Sequence, residues 1–123
     1  MTQIRITWPA GRLTATLADT PTSREVIAAL PIESSANTWG DEVYFATPLD
    51  PALEPDARQV VPAGTVAFWT DGNALALPYG PTPISSGDEP KLASPCNVLG
   101  EIDGDPRDLS TVRSGDPIRV ELV

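Results

Sequence analysis

The sequence predicts a mainly-β barrel with one short helix. Three observations carry that expectation. Short runs of alternating apolar and polar residues recur along the chain, each bounded by turn residues. The 14 prolines are scattered rather than clustered, which favours short strands, edges and loops over long helices. The third observation is the stretch 66–83, where apolar runs at 66–69 and 74–79 flank Thr70-Asp71-Gly72-Asn73. Asp-Gly followed by Asn is hairpin chemistry, because Gly and Asn accept the positive φ of a tight reversal. Val66 and Phe68 fall on one face of the first run, Ala67 and Trp69 on the other. A strand apolar on both faces is covered on both sides or rolled into a barrel.

The elements follow in chain order. Ile4, Ile6 and Trp8 alternate with Arg5 and Thr7, and Leu13, Ala15 and Leu17 alternate with Thr14 and Thr16. With Pro9-Ala10-Gly11 between them, they form an opening hairpin. The helix start has two registers: Thr20 caps with Pro21 at the first position, or Thr22 caps with Glu25 closing a capping box. Val26, Ile27 and Leu30 share a face, and Pro31 ends the helix. Short strands are expected at 32–36 and 43–46, with a loop at 37–42 between them. A proline-rich loop covers 47–57, and a strand fragment and turn cover 59–64. After the central hairpin, Gly80-Pro81-Thr82-Pro83 cannot continue a ladder. Residues 84–91 read as a long loop, 97–102 as a strand, 107–112 as a C-terminal helical turn, and 118–122 as the last strand. No internal repeat or linker appears, so residues 1–123 are one domain.

Composition narrows the chemistry. The chain holds 17 Asp and Glu against 8 Lys and Arg, a net charge of −9. That charge disfavours nucleic acid and anionic membrane surfaces as partners. No apolar run is long enough to span a bilayer, and the N-terminus lacks the pattern of a signal peptide, so a cytoplasmic protein is expected. There is no histidine, which removes the commonest general base and zinc ligand. The single cysteine, Cys96, excludes an internal disulfide. Without a histidine or a resolving cysteine beside it, Cys96 is expected to be a small packed side chain. No cofactor and no metal are expected. Asp103, Asp105 and Asp108 break the EF-hand rule and suit turns and caps better.

Several motifs together resemble a small prokaryotic cyclophilin-like family. They are Trp39-Gly40-Asp41-Glu42-Val43-Tyr44-Phe45, Val66-Ala67-Phe68-Trp69, Gly80-Pro81-Thr82-Pro83 and Asn97-Val98-Leu99-Gly100. Leu30-Pro31-Ile32 matches as the exit of the first helix. The resemblance covers nearly the whole chain and implies a closed β-barrel of cyclophilin topology. True cyclophilins are peptidyl-prolyl isomerases that place an arginine beside an apolar proline pocket. Donation near the prolyl nitrogen lowers a rotation barrier of roughly 18–20 kcal/mol. The comparable strand here, Val43-Tyr44-Phe45-Ala46, holds no arginine, and the Phe-His-Arg signature is missing. Arg58 is the nearest in sequence.

No catalytic residue is therefore assigned. Six residues are candidates for holding a ligand. Tyr44, Trp69 and Tyr79 offer apolar contact, with hydroxyls on the tyrosines that need partners. Glu42, Thr82 and Asn97 offer polar anchors. Each also has a structural alternative: Glu42 or Asp41 bonding loop amides, the aromatics filling the core, Thr82 in a stiff connection, and Asn97 fixing a turn. The expected function is a non-catalytic module binding a small molecule or a proline-containing peptide. A divergent prolyl isomerase and a structural, self-assembling protein are the two alternatives, and the sequence leaves the oligomeric state open.

Overall fold

The computed structural model describes all residues, 1–123. Ten antiparallel strands make one sheet: β1 (Thr2–Trp8), β2 (Gly11–Leu17), β3 (Ile32–Ser35), β4 (Asn37–Thr38), β5 (Glu42–Ala46), β6 (Arg58–Val60), β7 (Thr65–Trp69), β8 (Ala74–Pro78), β9 (Lys91–Ile102) and β10 (Pro117–Leu122). The strand order is β3-β10-β1-β2-β9-β7-β8-β5-β4, with β6 attached to β9. The ends of that order, β3 and β4, have no ladder between them. Only Ala36 separates them in the chain. Its N–H donates to Asp116 O and its carbonyl accepts from Gly115 N, both at 2.8 Å. The expected closed barrel is thus not closed by strand pairing.

The opening hairpin forms as the alternation requires. β1 and β2 pair from Thr2↔Leu17 to Trp8↔Gly11, leaving Pro9-Ala10 as the reversal. Ile4, Ile6, Trp8, Leu13, Ala15 and Leu17 all enter the main core. The helix α1 (Pro21–Ala29) takes the first of its two registers: Thr20 Oγ1 accepts from Ser23 N at 3.0 Å, and Pro21 opens the helix. Thr22 is no cap. Its hydroxyl bonds the Glu54 carboxylate and the Asn97 side chain instead. Val26 is fully buried, and Ile27 and Leu30 pack beside it.

Two strand segments exceed what the alternation predicted. Asn37 and Thr38 pair with β5, so part of the expected loop is strand. Residues 91–96 extend β9 to twelve residues ahead of the strand expected at 97–102, and Lys91 belongs to it rather than to the 84–91 loop. Their partner is the short β6, with Arg58↔Cys96 and Val60↔Lys91. Such pairing between segments far apart in sequence leaves little periodic trace in either.

The central hairpin explains its own two-faced apolarity. β7 and β8 pair as Ala67↔Ala76, Phe68↔Leu75 and Trp69↔Ala74. Val66, Phe68, Leu75 and Leu77 point into a main core of 21 buried residues. Ala67 and Ala76 point the other way, into a second cluster with Val61, Leu92 and Cys96. The β6–β9 arm covers the outside of the sheet here. Within this turn the positive φ falls on Asn73, at 50°, and not on Gly72. Gly72 serves a different purpose: a Cβ there would overlap the Trp69 ring.

Candidate functional site

The second cluster is the floor of a recess on the outer flank of the sheet. Trp39, Glu42, Tyr44, Trp69, Leu92 and Cys96 line it, with Ala76 and Ala93 completing the wall, and its volume is about 170 Å³. Strand alternation puts these residues there. Val43 and Phe45 of β5 face the main core, so Glu42 and Tyr44 face the flank. Trp69 follows Phe68 of β7 by the same rule. The rings of Tyr44 and Trp69 meet edge to face, with centroids 6.1 Å apart and planes at 82°. Trp69 is fixed further by its indole, whose Nε1 donates to Ser94 Oγ at 2.9 Å. Ser94 donates in turn to Asp71 Oδ2 at 3.0 Å.

Glu42 is the one charged side chain in this apolar wall. It is 6% exposed, and its Oε1 is buried with no hydrogen-bond partner. None of the four ion pairs of the chain includes it. Burial without compensation pushes its pKa up from 4.5 to about 7. Natural structures satisfy nearly all buried polar groups, so an orphaned carboxylate oxygen calls for an explanation. Cys96 lies at the floor with its thiol pushed up to about 12, chiefly by burial, with Glu42 and Asp71 adding. It remains a thiol at neutral pH and is no nucleophile.

Of the six residues singled out from the sequence, Glu42, Tyr44 and Trp69 meet in this recess. Tyr79, Thr82 and Asn97 do not line it. Tyr79 borders a separate shallow depression with Asp41 and Pro81. Burial, then the Asp41 charge, raises its phenol. Thr82 is buried with its hydroxyl donating to Lys91 O, while its N–H donates to Ser85 Oγ at 2.9 Å. Asn97 is fully buried and saturated. Its Nδ2 donates to Thr22 Oγ1 at 2.9 Å and to Ala52 O at 3.0 Å, and its Oδ1 accepts from Glu54 N at 2.7 Å. Thr82 and Asn97 therefore tie loops and the helix start to β9 through engaged hydrogen bonds.

Asp41 and Glu42 separate, as neighbours on an extended segment must. The Asp41 backbone bonds Pro81 O and Tyr79 N, so the loop before β5 is laced to the Gly80–Pro83 segment. Gly40 makes that contact feasible: its φ is +57°, and a Cβ would strike Pro83 and Thr82. Trp39, not singled out earlier as a ligand residue, is carried to the rim by this loop. Only its place in the same motif as Glu42 and Tyr44 pointed to it. Asp103 accepts from Gln3, Thr14 and Thr16, and Asp105 caps a 3₁₀ turn at Pro106–Thr111 by accepting from Arg107 N. Arg58 borders a different depression, beside Thr65 and Glu101. No arginine or lysine lines the aromatic recess.

The Cyclophilin-like family profile matches residues 2–121. The chain belongs to the cyclophilin-like family. Its fold is similar to the solution structure of the hypothetical protein AF2241 from Archaeoglobus fulgidus, with a TM-score of 0.84 and 36% sequence identity. That match covers 99% of this chain and 95% of the archaeal one. No curated protein sequence matches. The cyclophilin-like assignment agrees with the motif resemblance at Trp39–Phe45 and Gly80–Pro83. No helix of the chain is long and apolar enough to cross a membrane.

Proposed function

We propose that this cyclophilin-like protein is a non-catalytic binding module whose flank recess holds a small molecule or a proline-containing peptide. One observation carries the reading: an unpartnered buried carboxylate, Glu42, set in a wall otherwise made of apolar and aromatic side chains. Ligand sites combine an apolar lining with a few polar groups that fix orientation, and this recess has that make-up. Trp39, Tyr44 and Trp69 are only partly buried, so their rings are accessible to an occupant. The isomerase alternative needs a donor beside the prolyl nitrogen, and the recess offers no guanidinium. We also read the sheet as rolled into a barrel, because β3 and β4 form one stretch of chain that pairs with β10 at one end and β5 at the other.

The test is an NMR titration of the whole chain with short proline-containing peptides and a fragment set. The expected result is a set of shifts confined to Trp39, Glu42, Tyr44, Trp69 and Cys96. Shifts centred elsewhere, or none at all, would remove the reading. A peptide isomerisation assay runs beside it and is expected to give the background rate. A rate well above background, abolished by Trp69→Ala, would transfer the recess to the isomerase alternative.

A further inference from the structure

The recess carries a narrower inference, which rests on the binding function proposed above. We propose that its occupant is a small organic ammonium retaining at least one N–H, held against the rings of Trp39, Tyr44 and Trp69 and paired with Glu42. Such a group joins apolar surface and positive charge in one small volume, and the recess asks for both. The faces of Trp and Tyr rings attract cations, most strongly where water is excluded. Tyr44 and Trp69 stand at 82° to each other, so they form two walls of a corner. Glu42 lines the recess with no donor from the protein on its buried Oε1, and a charge-assisted N–H bond to the carboxylate is the strongest way to answer its charge.

Size and charge agree with that occupant. The volume of about 170 Å³ is close to the roughly 150 Å³ of an engineered cavity that accepts benzene, so a group of about six non-hydrogen atoms fits. The excess of 17 acidic over 8 basic residues draws cations toward the surface and repels anions. The groups facing Glu42 leave its charge unanswered. β9 contributes the neutral Cys96 thiol, β5 the Tyr44 phenol and β8 only Ala76. Asp71, which accepts from Ser94, reaches the Cys96 thiol with its charge and adds only more negative charge.

A neutral carbonyl ligand is the competing occupant, since a protonated Glu42 would donate to it. The two differ in the sign of their pH dependence. Burial sets the Glu42 pKa at about 7, so a cation, which needs the carboxylate, binds more tightly as pH rises through that value. A carbonyl would bind less tightly over the same range.

The experiment compares tert-butylammonium with its neutral isostere tert-butanol at millimolar concentration. The indole N–H resonances of Trp39 and Trp69 and the Glu42 carboxyl resonance report binding. At about pH 8 the ammonium is expected to bind at least about tenfold tighter than the alcohol, and at about pH 5.5 to weaken by about tenfold or more. Glu42→Gln is expected to erase both differences. Should that variant fail to fold, Trp39→Leu, on the partly exposed rim, carries the comparison through loss of the preference for the cation. Equal affinity for the two probes, or a cation affinity that grows as pH falls, overturns the ammonium inference and leaves a binding recess in place. Absence of shifts with both probes also overturns it, and the peptide and fragment titration then judges the binding function separately.

Discussion

Glu42→Gln should make this protein's stability less sensitive to pH, and the structure fixes the size and sign of the change. Glu42 titrates near 4.5 when unfolded and near 7 when folded, because burial disfavours its charge. A rise of about two and a half pKa units, at about 1.4 kcal/mol each, corresponds to roughly 3 kcal/mol. The folded state binds the proton more tightly, so the stability linked to it is complete below pH 4.5. That stability is lost progressively as pH rises to about 7. A glutamine has no such proton. Urea unfolding of both proteins from about pH 4 to about pH 8 isolates this group, since all other titrating residues cancel in the difference. The variant should gain on the wild type by about 3 kcal/mol between the two extremes. A difference that stays flat with pH would mean that water or a rearranged donor already solvates Glu42, and the reasoning about the recess would fail with it.

Three further outcomes follow from particular contacts. Gly72→Ala should displace the Trp69 ring, lowering stability by about 1–3 kcal/mol and altering tryptophan fluorescence, because the new methyl overlaps that ring. An unchanged spectrum would show that the ring yields freely. Asn97→Ala should cost about 3 kcal/mol or more in chemical unfolding, since it strands Glu54 N–H and Ala52 C=O and removes one of the two bonds of the Thr22 hydroxyl, which keeps Glu54. The same variant should leave binding in the recess unaltered, and a loss of affinity in a folded protein would place Asn97 in the site after all. Tyr44→Phe should fold with stability within about 0.5 kcal/mol of wild type, because the Tyr44 ring lines an open recess and its main packing partner, Trp69, keeps the same edge contact. A thermal melt showing a large loss would make the hydroxyl structural.

The amino-acid sequence makes most of the strands and the single helix legible. Alternation at Ile4-Ile6-Trp8 and Leu13-Ala15-Leu17 left no other way to bury those side chains, and Asp71-Gly72-Asn73 reversed the chain where two apolar runs needed to pair. It also determined what the chemistry lacks, since no histidine and one cysteine are read from composition alone. It placed Glu42, Tyr44 and Trp69 among the candidates because their type and motif were legible. What tertiary structure alone decided was which polar groups were already satisfied. Asn97 and Thr82 look like anchors in the sequence, and only the approach of Glu54, Ala52 and Lys91 shows their hydrogen bonds to be engaged. The β6–β9 arm that roofs Ala67 and Ala76, and so creates the recess, pairs residues more than thirty positions apart. Local periodicity records which side of a strand is apolar. It does not record what will cover that side, because burial is set by segments that meet only after the chain has folded.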